Sequence, residues 1–306
     1  MTSHLRIKSP RAQLGLFLGL FGLCYLFTGI LSVNVCDHYH IPVVSSQIDW
    51  NDAKTLRVLK TIQAFSSLSM FLLPAVLFAV FTFYDHHSHY LGFKPAEKPQ
   101  MYILAVLGIL LALPLVVWLG KLNEQIPLPS SLNQLEKEAG DQIQAFLKIR
   151  HRYDVWLNVF IIALLPAICE EMCFRGALQR ICINIFKNAW VGIIVTGILF
   201  SALHFQFQGF LPRMFLGILL GAFYWYSGSL WTSILAHFAN NALQVIMASY
   251  ATRYVKENPD APMLAALGCT LVVAAIIWYY RKLSTVSYAR VYGSDEHTPP
   301  FNHLRA

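Results

Sequence analysis

Over residues 13–34 the chain carries no charged side chain. About 20 apolar residues are what an α-helix needs to cross ~30 Å of hydrocarbon. Comparable apolar runs recur at about 58–84, 101–119, 153–186, 189–205, 211–226, 230–250 and 263–280. Only 13% of the residues are charged, 56% are hydrophobic and the mean hydropathy is +0.51. That charge content is about half the ~25% of soluble domains. The alternation of a membrane β-barrel is absent. The pattern predicts an all-α polytopic transmembrane bundle of about eight spanning helices.

The segments between the runs add detail. A basic lead (Arg6, Lys8, Arg11) precedes the first run, which reads as a spanning helix rather than a cleaved signal. Loops are expected at 35–56 and around Asp85, His86, His87 and His89, where the histidines read as a solvated cluster. Pro114 predicts a kink in the third run. Within 121–152, Leu132, Leu135, Ala139, Ile143, Phe146 and Leu147 recur at helical spacing between charges. That is an amphipathic helix, lying along the interface or serving as a solvated connector. Turns are expected at Lys187–Asn188, at 227–229 and around Pro259 and Pro262, with a polar tail to Ala306. The organisation reads as N-terminal helices with an interfacial segment (1–150), a helical core (151–252), and a last span with its tail (253–306).

The six cysteines make no disulfide pattern. Five lie in apolar runs and only Cys36 in an expected loop, so they read as small packing residues. The net charge of +7 suits anionic lipid headgroups, and no basic–aromatic pattern points to nucleic acid. Partners are therefore membrane lipids, and the location is an integral, multi-pass one, the cell membrane if the source is prokaryotic. Basic residues at both ends favour cytoplasmic termini, although Lys and Arg divide almost evenly between the two sets of loops. Oligomeric state is left open.

Residues 163–180, A-L-L-P-A-I-C-E-E-M-C-F-R-G-A-L-Q-R, set two adjacent carboxylates, Glu170 and Glu171, in an apolar run. An ionisable residue at membrane depth is a functional-site hypothesis by default. Glu171 and Arg175 are i and i+4 with the acid first, the better order for an ion pair. Glu170 is rotated by ~100° and faces another neighbour. Of eleven histidines only His204 and His237 fall in expected spans, with Asn241 one turn after His237. Phe200 and His204 share a face, so the ring can wall a pocket beside the imidazole. Counting from the turn at Lys187, Glu170 and His204 are equally deep.

These residues form three motifs in order: E-E-M-C-F-R (170–175), F-S-A-L-H (200–204) and H-F-A-N-N (237–241). They resemble the EExxxR, FxxxH and HxxxN/D motifs of the CPBP intramembrane proteases. That family comprises CAAX-type prenyl endopeptidases and bacteriocin-processing or bacteriocin-immunity proteins. The resemblance covers roughly 155–247. It implies a membrane-embedded endopeptidase whose site is Glu170, His204, His237 and Asn241, supported by Glu171 and Arg175, acting on a peptide or lipidated protein.

The residue types fit peptide hydrolysis, which needs an activated water, oxyanion stabilisation and a proton for the leaving amine. Glu170 can take the proton from water and His204 can shuttle it. His237 and Asn241 can stabilise the oxyanion. Alternatively Glu170, His204 and His237 match catalytic zinc ligation, with zinc as cofactor; the metal-free reading is favoured narrowly. Other classes are a non-catalytic immunity or binding scaffold and a proton-coupled transporter, the latter disfavoured by the lack of an inverted repeat. Cys169 and Cys173, though i and i+4 beside the glutamates, read as packing residues.

Overall fold

The structure is a computed structural model that describes residues 6–42, 47–84, 87–250 and 262–292. Among them the elements are helices, with no strand of a sheet. Pro259, Asp85, His86 and the tail beyond Tyr292 lie outside the described residues.

Among the described residues four helices are long and apolar enough to cross a membrane: α1 (Pro10–His38), α2 (Ala53–Thr82), α7 (Asp154–Phe186) and α11 (Met263–Leu283). α4 (Gln100–Leu111) and α5 (Leu113–Glu124) make a fifth if counted as one span bent by 40°. Between these lie α3 (His87–Leu91) and α6 (Ser130–Leu147). α8 (Ala189–Ala202), α9 (Phe210–Ser227), α10 (Leu230–Tyr250) and α12 (Tyr288–Tyr292) are the other helices among the described residues. Helices thus occupy all eight apolar runs, but the number that span is four or five by length and composition. α8 has 14 residues, about 21 Å at 1.5 Å per residue, short of the hydrocarbon thickness. The chain is an integral multi-pass membrane protein.

Prolines shape the long helices. A proline lacks the N–H its helix needs and crowds the carbonyl four residues back. In α2 a wide π-helical turn at Leu68–Leu72 immediately precedes Pro74, and in α7 another at Val159–Leu164 precedes Pro166. At Pro114 the helix breaks outright at Ala112. α7 ends where Lys187 turns left-handed (φ 53), and Asn188 caps α8 by accepting the Val191 N–H. Gly228 (φ 65) makes the α9–α10 turn. Cys36, expected in a loop, sits in the last turns of α1.

α9 is the central helix, touching α4, α5, α7, α8, α10 and α11. Its inner half is apolar all round, as a helix enclosed on every side must be. α1 and α11 are peripheral, with Leu23, Ile30, Leu264, Leu271 and Trp278 facing outward, toward lipid. Where lipid is as apolar as leucine, helices associate through close packing and interhelical hydrogen bonds. Both occur here. Thr28 and Ser69 hydroxyls bond at 2.6 Å between α1 and α2, and Lys60 donates to Asn158 at 2.7 Å between α2 and α7. A β-carbon on Gly192 would lie 2.4 Å from Ile183 Cγ1 and 2.7–2.8 Å from the Ile183 backbone. Backbone cannot step aside as a side-chain tip can. Gly192→Ala should therefore cost roughly 1–3 kcal/mol and lower the midpoint of thermal unfolding in detergent. Gly120→Ala, with open space around it, should not.

Candidate active site

The middle of α7 carries the site. From Met172 to Gln179 the helix widens into a third π-helical stretch, without a proline to force it. Such stretches concentrate at functional sites. Gly176 brings this stretch within contact of the Leu91 carbonyl at the end of α3; a β-carbon there would be 3.1 Å from the oxygen.

The Arg175 guanidinium is fully buried, so it needs partners. Nη1 donates to Glu171 Oε1 at 2.7 Å and Nη2 to the Gly217 carbonyl at 2.9 Å. Its face lies over the Phe200 ring, 4.6 Å from the centroid. One turn on, buried Gln179 repeats the device by donating to the Gly221 carbonyl at 3.0 Å. The glycines on α9 let both side chains reach the backbone. A β-carbon on Gly221 would sit 2.5 Å from Gln179 Oε1.

Glu171 is also fully buried, and its Oε1 takes a second bond. His237 Nδ1 lies 2.9 Å away, so α10 is joined to α7 through this carboxylate. A carboxylate that holds Arg175 accepts only, which puts the imidazole proton on Nδ1 and leaves the Nε2 lone pair free. Nε2 points to the second acid, 3.9 Å from Glu170 Oε2. That separation exceeds a direct hydrogen bond. The Glu170 side chain retains 12% exposure where Glu171 has none, so the two adjacent acids differ in access.

His204 sits differently from its sequence expectation. α8 ends at Ala202, and His204 lies in the following turn rather than inside a span. Its Nδ1 lies 2.8 Å from the Phe200 carbonyl, an acceptor, so here too Nε2 is the open nitrogen. The chain leaves through Phe205 at φ 53, a left-handed conformation that a β-carbon disfavours. Phe200 touches both imidazoles edge-on, with centroids 5.1 Å from His204 and 5.8 Å from His237. Asn241 is half-buried, and its Oδ1 accepts from Asn240 Nδ2 at 3.1 Å, which turns its own amide N–H groups away. Glu170, Glu171, Arg175, Phe200 and His237 thus form one contiguous group, with His204 against Phe200 and Asn241 one turn along α10.

Zinc ligation requires three side chains aimed at one point. Among the described residues no three His, Cys, Asp or Glu side chains are grouped to hold a metal ion. Glu170, His204 and His237 therefore do not fit a zinc set as arranged, and no step below passes through a metal. The six cysteines are unpaired, with Cys169 and Cys173 buried.

Sequence reasoning overlooked two residues near His204. Arg213, in the first turn of α9, bonds the Gln206 side chain and carbonyl and lies within electrostatic reach of Glu170 and His204. Asn123, buried at the end of α5, donates to the Phe207 carbonyl (2.7 Å) and accepts the Leu211 N–H (2.8 Å). From α6, Glu136 accepts the Gln208 N–H at 3.1 Å. The amphipathic helix and α5 together brace the turn that carries His204. An arginine interrupting the apolar run F-L-P-R-M-F was the available signal for Arg213; Asn123 had none.

Residues 152–243 match the model of the Rce1-like family, type II CAAX prenyl endopeptidases. The matched segment is Rce1-like, in line with the CPBP resemblance of its motifs, and it contains every residue of the group just described. A Bacillus subtilis (strain 168) protein, "Uncharacterized protein YpbD", is 31% identical over 90 residues. That alignment covers 28% of this chain and 43% of the relative, so the chain matches less than half of that protein's length. No solved structure matches.

Proposed function

We propose that this integral membrane protein is a CAAX-type intramembrane endopeptidase. It hydrolyses a peptide bond near the C-terminus of a membrane-associated or prenylated substrate. One observation carries the reading. In the Rce1-like segment, a buried carboxylate with residual access (Glu170) faces the free Nε2 of a histidine whose other nitrogen is fixed by a second, arginine-paired carboxylate.

Chemically, a water held between Glu170 and His237 Nε2 loses a proton to the Glu170 carboxylate. The resulting hydroxide attacks the scissile carbonyl carbon. The Asn241 amide, its oxygen already engaged by Asn240, donates to the developing oxyanion. As the C–N bond breaks, protonated Glu170 returns the proton to the leaving amine, directly or through His204 Nε2. Glu171 and Arg175 act through His237: they fix its tautomer and supply the counter-charge. Phe200 keeps bulk water from the two imidazoles.

The test is a comparison of protein C-termini in membranes of a wild-type strain and a Glu170→Ala strain. Shortened C-termini present only in wild type are expected. Identical C-termini in both strains, with the variant protein present at normal level, would overturn the reading.

A further inference from the structure

Two arginines lie near Glu170, and they are held in different ways. Arg175 is fully buried against Glu171, the Gly217 carbonyl and the face of Phe200. Arg213 is half-buried, and its bonds go to one neutral residue. Nη1 donates to the Gln206 side-chain oxygen at 2.6 Å, and Nη2 donates to the Gln206 carbonyl. Glu136 and Glu170 are the acids near it, but among the described residues no carboxylate lies within ion-pair distance of Arg213. Three of its five N–H groups, the buried Nε–H among them, meet no acceptor among the described residues.

Bracing the His204 turn does not account for this arginine. The turn is already held by Asn123 at the Phe207 carbonyl and the Leu211 N–H, by Glu136 at the Gln208 N–H, and by Ser201, whose hydroxyl donates to the Phe210 carbonyl at 2.7 Å. The Arg213 guanidinium lies over Gly209, where a β-carbon would be 3.0–3.2 Å from Nη2, Cζ and Nη1. Gly209 gives it room while the other bonds fix the backbone. The Gln206 side chain can therefore be exchanged for another acceptor without loss of the turn.

The position also fits a length. Nη2 is bonded to the carbonyl of Gln206, two residues after His204. Those two Cα atoms are at most about 7 Å apart, which puts the guanidinium on the order of 10 Å from the His204 backbone. A CAAX sequence ends three residues after its cysteine, and three extended residues also span about 10 Å. A substrate with its scissile bond between Glu170 and His204 thus brings its terminal α-carboxylate within reach of Arg213. A carboxylate arriving there loses water and is repelled by Glu170, and pairing with a cation offsets both costs.

We propose that Arg213 binds the free C-terminal carboxylate of the substrate, displaces the Gln206 side chain from the guanidinium, and so sets the cut at a fixed number of residues from the chain end. The exchange replaces a neutral acceptor with a charged one, whose hydrogen bonds are roughly twice as strong. The identity of the ligand rests on the endopeptidase reading above.

The test measures binding to the purified full-length protein in nanodiscs. The ligand is a peptide with a farnesylated cysteine fourth from its end and a ketomethylene in place of the scissile amide, so that it stays intact. It is made with a terminal carboxylate and with a terminal carboxamide. Wild type should bind the carboxylate form about ten- to a hundredfold more tightly. Arg213→Gln should lose that preference by weakening the carboxylate form alone; the carboxamide form, bound as in wild type, reports that the site is folded. Arg213→Lys should keep part of the preference, because it retains the charge but not the planar fork. Equal weakening of both forms in Arg213→Gln would overturn the proposal and make Arg213 a brace of the turn. Equal binding of both forms by wild type, or binding of neither, would overturn it whatever the variants do. Hydrolysable versions of the two peptides separate this proposal from the endopeptidase reading. Cleavage and binding indifferent to the terminal group remove the anchor and keep the endopeptidase, whereas a carboxylate preference in binding without cleavage keeps the anchor and removes the endopeptidase.

Discussion

Glu170→Gln should leave the protein folded and equally or more heat-stable, yet reduce cleavage by about a hundredfold to ten-thousandfold, the usual contribution of a positioned base. The stability half follows from burial. Glu170 is 9% exposed, its neighbour on α10 approaches no closer than 3.9 Å, and of the two arginines near it Arg175 is bonded to Glu171 and Arg213 to Gln206. A carboxylate so placed pays much of its desolvation cost without a direct ionic contact. Glutamine keeps the shape and relieves that cost. The activity half follows from the proposed mechanism, because an amide cannot take a proton from water. The measurement is thermal unfolding in detergent beside cleavage of a substrate found by C-terminal comparison. A folded Glu170→Gln that cleaves at the wild-type rate would show that Glu170 is not the base.

Much of this was legible in the sequence where the cause is local. Apolar runs placed a helix in each of eight segments, and the i, i+4 spacing of Glu171 and Arg175 gave their ion pair. Pro114 marked the α4–α5 bend. What stayed hidden depends on long-range pairing. α8 stops at Ala202 although Leu203 and Phe205 continue the apolar run, because the chain must reverse there and the turn is held by Asn123 from a helix some 80 residues earlier. That reversal moves His204 out of a helix and into a turn. Nor does one-dimensional spacing say which of two adjacent acids a histidine on another helix will face. His237 reads equally well as an oxyanion donor from sequence, but its Nδ1 is committed to Glu171. Arg213 escaped a census of buried charge because it stands at the start of its apolar run.

The same bond changes what Glu171 is expected to do. Glu171→Gln should destabilise the protein by about 3–5 kcal/mol, the usual consequence of stranding one member of a buried pair. Arg175 would remain fully buried with one neutral carbonyl at Gly217 and the face of Phe200 for company. Activity should fall too, by on the order of ten- to a hundredfold in whatever protein stays folded, because His237 loses the acceptor that fixes its tautomer. These two effects have separate remedies. In the double variant Glu171→Gln/Arg175→Met the stranded cation is gone and a side chain of similar length fills its place, so thermal stability should return most of the way. Nothing in that variant restores the charged acceptor for His237 Nδ1, so cleavage should stay low. If stability and activity both recover, Glu171 serves only to neutralise Arg175 and His237 needs no orientation. If the single variant Glu171→Gln is as stable as wild type but inactive, the base is Glu171, and Glu170 is the supporting acid.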